Sequence, residues 1–274
     1  MLQYYSTVSG KGNKVAIFLP GTGWSGSMGM PIADALQKEL TTHMIDLPGI
    51  GKSSGIEGVV TERNMADWLH GYIEKNQLDK VSIIGHSLGG IIGLAYAFYY
   101  PKKVDKLILL DIGYDRVNRF PVKMFGKTGY FLPIISICHK LFGQGLLGKE
   151  LDDEQVSKPK TEEEIKKVIE KFKFEDSPFI RDAIENQRSS NLSGISLLLA
   201  AYRSNPPKIL NTIQMPCLLL YGNRENSPAA AQRKVKKEVE GIKSNQVKIQ
   251  MLKGDHYAHV QDKKAIEYIS TFLA

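Results

Sequence analysis

Apolar residues along the chain come in short unbroken runs, and longer amphipathic stretches lie between them. The runs around Phe18, Leu109 and Leu219 are four or five residues long, while those around Ile83 and Ile249 are interrupted by Ser82 and by Lys248 and Gln250. They predict strands near 14–19, 41–47, 81–85, 106–111, 216–221 and 246–252, with one or two more at the N-terminus. The intervening stretches predict helices near 31–40, 61–76, 88–100, 228–240 and 263–273. Strands that are apolar throughout are buried on both faces. Alternating with helices, they imply a mostly parallel central sheet with helices on both faces, an α/β fold.

The alternation breaks once, between Ile112 and Pro207. There the pattern gives a lysine–glutamate helix near 161–173 and a further helix near 178–203, with Asn205-Pro206-Pro207 as a return hinge. The expected organisation is a core of 1–111 and 208–274 with a helical insertion over 112–207. Within the insertion, Tyr130-Phe131-Leu132-Pro133-Ile134-Ile135-Ser136-Ile137-Cys138 is strongly apolar. Three roles stay open for it: lining a substrate tunnel, touching lipid, or burying the insertion against the core.

The third strand runs into Gly85-His86-Ser87-Leu88-Gly89-Gly90 and then directly into a helix. A serine with glycines two residues away on either side, at a strand-to-helix reversal, is a nucleophile elbow. The turn puts the Ser87 hydroxyl at a helix N-terminus, which favours developing negative charge. A serine hydroxyl needs a base and an acid that orients the base. Of six histidines, His256 follows the last strand in a loop, where a base can reach the elbow; His259, three residues on, reads as packing. The acid lies between Ser87 and His256 in sequence. Glu225, in the loop after the 216–221 strand, is favoured, and Asp111, ending the 106–111 strand, is the alternative.

These motifs resemble the α/β-hydrolase family, of the cap-bearing serine hydrolase and carboxylesterase type. Four segments fall in the family's order: Phe18 to Trp24, Asp46-Leu47-Pro48-Gly49-Ile50-Gly51-Lys52-Ser53, the elbow, and the acid-then-histidine tail. Three residues depart from the pattern. Pro20 stands where histidine is usual, Glu225 where aspartate is usual, and Asp255 where glycine precedes the histidine. The resemblance implies that 112–207 is a cap. It also implies an oxyanion hole from the N–H groups of Leu88 and Thr22, with Gly23 as the alternative to Thr22. Trp24, His86, Phe131 and Ile135 are the expected lining of the substrate pocket. The implied activity is cleavage of a carboxylic ester, or a related acyl or lactone bond, through an acyl-enzyme and without a cofactor. Other readings are a ligand receptor that keeps the triad with little turnover, and a carbon–carbon hydrolase or lyase.

A remoter reading comes from Gly21-Thr22-Gly23-Trp24-Ser25-Gly26, which follows a strand and has Asp46 twenty residues beyond Gly26. That spelling is the dinucleotide fingerprint of an oxidoreductase. It requires a helix that starts inside the glycines, whereas the sequence places the next helix at Pro31.

Composition changes little in this picture. The chain has 274 residues, 42% of them hydrophobic, enough for one large core with an insertion. The net charge of +7 is spread along the chain and reads as solvated lysine faces. No metal-ligand spacing, nucleic-acid motif or membrane-length apolar run stands out. Two cysteines and no N-terminal signal pattern fit a cytoplasmic protein acting on a small molecule, with no stable membrane insertion. Oligomeric state stays open.

Overall fold

The computed structural model describes residues 2–117, 121, 126–143, 160–187 and 190–274, so part of the expected 112–207 insertion lies outside the described residues. Among the described residues the strands are β1 (Ser6–Ser9), β2 (Lys14–Leu19), β3 (Leu40–Ile45), β4 (Val81–His86), β5 (Val104–Leu110), β6 (Cys217–Gly222) and β7 (Val247–Leu252). They form one sheet in the order β1-β3-β2-β4-β5-β6-β7. Only β1, at one edge, runs antiparallel to its neighbour.

The unbroken apolar runs have a direct structural cause. Successive side chains of a strand point to opposite faces. Ile17, Leu19, Ile83, Leu107, Leu109 and Leu219 belong to one buried cluster, and their alternates Ala16, Phe18, Ile84, Ile108, Leu110 and Leu218 to the other. Helices α2 (Glu62–Lys75) and α3 (Leu88–Tyr99) cover the first face. Helix α1 (Met30–Ala35) contributes Ile32 and Ala33 to the second.

The described helices between β5 and β6 are α4 (Leu132–Phe142), α5 (Glu162–Phe172), α6 (Pro178–Glu185), α7 (Leu192–Arg203) and α8 (Pro206–Leu210). The single helix expected near 178–203 is two, because each half carries its own cap: Ser177 Oγ accepts from Ile180 N–H and Asn191 Oδ1 from Gly194 N–H. The expected hinge at 205–207 is instead a helix start. Asn205 is the N-cap and the two prolines fill the first turn of α8, where a missing N–H costs nothing. Leu197, Ala200 and Ala201 of α7 join the first core cluster, while Ile165, Ile180, Ala183 and Ile184 of α5 and α6 join the second. Helices α9 (Ala229–Glu240), α10 (Ala258–Gln261) and α11 (Lys264–Leu273) complete the chain. No described helix is long and apolar enough to cross a membrane.

The parallel register sets where chemistry can gather. His86 pairs with Leu110, and Leu110 with Leu220. The next residues, Ser87, Asp111 and Tyr221-Gly222, therefore emerge together at the carboxyl edge of three adjacent strands. The turn there is tight. A Cβ on Gly89 would lie 2.3 Å from the Leu19 carbonyl oxygen, which is backbone and cannot rotate away. Gly89→Ala is expected to cost about 1–3 kcal/mol as an overpacked contact. Its thermal midpoint should fall by several degrees, and an unchanged midpoint would show that this approach is not a constraint.

Candidate active site

Ser87 sits between the last residue of β4 and the first of α3 with φ 50° and ψ −117°. A side-chain-bearing residue at positive φ is strained, and here the strain turns the hydroxyl out of the sheet edge. Ser87 Oγ lies 3.0 Å from His256 Nε2. His256 Nδ1 lies 2.6 Å from Asp111 Oδ2. With the Nδ1–H donating to the carboxylate, Nε2 accepts from the serine hydroxyl.

Asp111 is buried and its carboxylate is fully engaged. Oδ1 accepts from the Gly222 N–H at 3.0 Å and from the Tyr114 hydroxyl at 3.2 Å. Oδ2 accepts from His256 and from Arg224 Nη2 at 2.5 Å. Arg224 Nη2 also reaches the Tyr114 hydroxyl at 2.9 Å. Burial alone raises a carboxyl pKa. The hydrogen bond from His256 and the neighbouring Arg224 charge outweigh it, and the Asp111 carboxyl lies below its usual range. Burial and the Asp111 charge push the Tyr114 phenol well above its ordinary value, so it stays a donor.

Glu225, the acid favoured from sequence, does not meet His256. The loop after β6 does reach the site, but through the preceding residue. Arg224 takes a left-handed conformation, φ 59°, and its N–H donates to the Gly254 carbonyl at 2.9 Å. That turn points the Arg224 side chain at Asp111 and leaves Glu225 exposed, where Oε2 accepts from Asn223 Nδ2 at 3.3 Å. The carboxylate on His256 is Asp111. Asp255 turns the other way, accepting from Ser227 Oγ at 3.1 Å. Nothing in the sequence pattern marked Arg224. A single arginine beside a candidate carboxylate is too common to carry a signal.

The expected pocket residues occupy different settings. Trp24 is buried, and its indole N–H donates to the Tyr257 hydroxyl at 3.0 Å. Its ring packs edge-on against Phe172, Phe174 and Tyr257, which fixes the 172–174 turn to the His256 loop rather than opening a wall to substrate. His86 is buried beneath the site, where its Nε2–H donates to the His256 carbonyl at 3.0 Å. Phe131 faces outward at 61% exposure, so it lines no closed tunnel, and Ile135 is half-buried on the same helix.

The loop that carries Thr22 and Gly23 lies against the elbow. Gly89 N–H donates to the Pro20 carbonyl at 3.0 Å, and a Cβ on Gly21 would fall 2.7 Å from His86 Nδ1. Thr22 is exposed and Gly23 adopts φ 81°. The dinucleotide reading of this loop fails on Asp46. That carboxylate is buried, accepting from the Gly26 N–H at 2.8 Å and the Lys52 N–H at 3.0 Å, so it ties two loops together instead of facing a ribose. Among the described residues no three His, Cys, Asp or Glu side chains gather as a metal site.

Under the site lies a layer of buried imidazoles. The His86 ring centroid is 4.9 Å from that of His256 and 4.4 Å from that of His259. Neither His259 ring nitrogen has a partner among the described residues. Burial, with repulsion from His256, pushes the His259 pKa down to about 3, and burial pushes His86 well below its ordinary value. The unfolded chain protonates both near pH 6.5. Below that pH the unfolded state binds more protons than the folded one, so stability falls as pH drops from about 6.5 toward about 3. Each such ring contributes at most about 1.4 kcal/mol per pH unit. Urea midpoints between pH 7 and pH 4.5 should fall steeply in the wild type and less steeply in His259→Phe. Parallel declines would show that His259 titrates normally in the fold.

The model of the alpha/beta hydrolase fold family matches residues 15–134. An abhydrolase domain-containing protein of Caenorhabditis elegans is 40% identical over 75 residues, which cover 26% of this chain and 17% of that protein. A pimeloyl-acyl-carrier-protein methyl ester esterase of Salmonella newport is 33% identical over 99 residues, covering 36% of this chain and 37% of that protein. The matched segments thus span well under two thirds of either relative. Among solved structures, an E-2-(acetamidomethylene)succinate hydrolase superposes with TM-score 0.69 at 16% identity, over 99% of this chain and 95% of that one. The enol-lactonase of Burkholderia xenovorans gives TM-score 0.66 at 17% identity, over 99% and 96%. A thermophilic esterase of Thermogutta terrifontis gives 0.66 at 21%, over 99% and 93%. At these identities the structural likeness speaks for the fold alone, over nearly the whole chain. On these grounds the chain has the α/β-hydrolase fold, and its residues 15–134 match the model of that family.

Proposed function

We propose that this chain is a serine hydrolase that cleaves carboxylic esters, or related acyl and lactone bonds, with Ser87 as nucleophile, His256 as base and Asp111 as the orienting acid. The observation that carries the reading is the continuous hydrogen-bond chain, 3.0 Å from Ser87 to His256 and 2.6 Å from His256 to Asp111. The named activities of a methyl ester esterase and an enol-lactonase among the similar proteins point to the same bond type.

In the first half of the cycle Ser87 Oγ attacks the ester carbonyl carbon while His256 Nε2 takes the hydroxyl proton. Asp111 steadies the imidazolium that forms, without itself being protonated. The tetrahedral oxyanion is held by the Leu88 and Thr22 N–H groups, with Gly23 as the alternative to Thr22. Leu88 is the first residue of α3, so its N–H has no acceptor within the helix. One such donor is worth about 2.7–4 kcal/mol in the transition state. Collapse breaks the bond to the leaving oxygen, which receives the proton from His256, and leaves an acyl ester on Ser87. Water then attacks that ester with His256 again as base, releasing the carboxylic acid and restoring the serine. The cycle calls for no cofactor.

Two further residues position the machinery. Arg224 pins the Asp111 carboxylate and keeps it ionised, and His86 holds the His256 backbone. The segment 112–207 acts as the cap over the site in this reading.

An active-site-directed fluorophosphonate is expected to label Ser87 alone, as read by intact mass and peptide mapping. Modification elsewhere, or none in a folded sample, would sink the reading. Multiple turnovers of short-chain p-nitrophenyl esters, methyl esters and an enol lactone should be abolished by Ser87→Ala.

The acid is tested separately. Asp111→Asn should lower kcat by about 10³–10⁴-fold, since it removes the charge that stabilises the imidazolium and favours the wrong tautomer. Glu225→Gln should change kcat by less than about twofold, as an exposed side chain outside the hydrogen-bond chain. Steady-state rates on one soluble ester decide it, and the reverse order of effects would return the acid role to Glu225.

A further inference from the structure

Helix α4 is inside out. Its buried residues are Leu132, Ser136 and His139, spaced four and three apart on one face. Two of the three are polar and are keyed to their neighbours. His139 Nε2 lies 3.0 Å from Ser196 Oγ of α7, and the Ser196 hydroxyl donates to the Gly58 carbonyl at 3.2 Å. Arg203 Nη1 reaches Ser136 Oγ at 3.3 Å, while Nη2 donates to the Val60 carbonyl at 2.8 Å. The opposite face carries apolar side chains. Tyr130 and Phe131 just before the helix, and Ile134, Ile137, Leu141 and Phe142 on it, are each between 60% and 71% exposed. A surface helix normally buries its apolar stripe and wets its polar one. This one does the reverse, with its inner face anchored to α7 by specific hydrogen bonds, and α7 in turn sits in the core cluster beside α3. The apolar face is therefore held out on a fixed support.

Charge says what covers it. Lys127, just before the patch, and Lys140, within α4, are both exposed beside it. The sequence contains no Asp or Glu from Arg116 to Lys149, while Arg116, Arg119, Lys123, Lys127, Lys140 and Lys149 fall in that stretch. Exposed aromatic and aliphatic side chains flanked by the exposed Lys127 and Lys140 match the interface of an anionic bilayer: the apolar groups enter the acyl boundary and the lysines meet lipid phosphates. A second copy would set the same cations against each other. We infer that α4 is a peripheral membrane-docking face that seats this protein on anionic lipid surfaces. The docking rests on the surface of α4 and not on hydrolysis, so it stands or falls separately from the enzymatic reading.

The test is flotation of the full chain with liposomes of phosphatidylcholine alone and of phosphatidylcholine with 30 mol% phosphatidylglycerol. Wild type is expected to float with the anionic liposomes, to bind neutral ones far less, and to be released by high salt. Ile134→Glu/Leu141→Glu should lose at least tenfold in partitioning while keeping its circular dichroism, its melting temperature and its turnover of a soluble short-chain ester. Both side chains are exposed and outside the Ser87 machinery. Lys127→Glu/Lys140→Glu should lose the preference for anionic lipid, about fivefold per lysine removed. Wild type remaining unbound at every lipid concentration would overturn the inference. So would anionic binding unaffected by Ile134→Glu/Leu141→Glu. A concentration-dependent dimer in light scattering, abolished by the same pair and with no flotation, would assign the face to a second copy instead.

Discussion

The site depends on one backbone register. Because His86 stands opposite Leu110 and Leu110 opposite Leu220, three parallel strands end at the same level, and whatever follows each of them is delivered to one place. Ser87 and Asp111 follow the first two directly, so their separation is fixed by the hydrogen-bonded ladder and not by loop conformation. A shift of a single residue would also exchange the two buried faces of the strand, which the filled clusters on both sides forbid. Only His256 arrives from farther away, on the loop after β7. That loop is tied down from several directions: by His86 below it, by Gln261 accepting from the Asp255 N–H at 2.9 Å, and by Arg224 at Gly254.

Electrostatics follow from that placement. Asp111 lies under the sheet edge with four hydrogen-bond donors around it, and a buried carboxylate stays ionised only with such compensation. Arg224 supplies part of it from the opposite side to His256. The imidazoles of His86 and His259 lie beneath and stay neutral because charging either in that layer would bury an unpaired cation next to His256. The imidazole layer beneath the site is thus neutral, and the buried charge beside it is the Asp111–Arg224 pair.

The helices between β5 and β6 are bound into this arrangement from both sides of the sheet. Helix α7 shares a cluster with α2 and α3, whereas α5 and α6 share the other with α1. Phe172 and Phe174 then close on Trp24 and Tyr257 beside the His256 loop. Among the described helices, α4 departs from the rule that apolar surface goes inward. Its hydrogen bonds to α7 show that the outward face is a built orientation and not a loosely attached segment.

The order of strands and helices was legible in the chain because burial on two faces leaves an unmistakable unbroken apolar run, and the elbow was legible because a strand-to-helix reversal at one residue demands glycine around it. The pairing of Ser87 with His256 could be anticipated from those local signals. The carboxylate beside His256 could not. Glu225 and Asp111 both follow strands that end at the same edge, and sequence carries no measure of the φ 59° turn at Arg224 that swings Glu225 into solvent and brings an arginine to Asp111 instead. The same limit applied to Trp24, His86 and Phe131. An aromatic or imidazole side chain has the same spelling whether it lines a pocket, packs beneath it or faces outward. Local periodicity determined which residues are apolar together, while long-range packing of α4 on α7 decided which side of the helix they occupy, because that choice is set by partners distant in the chain.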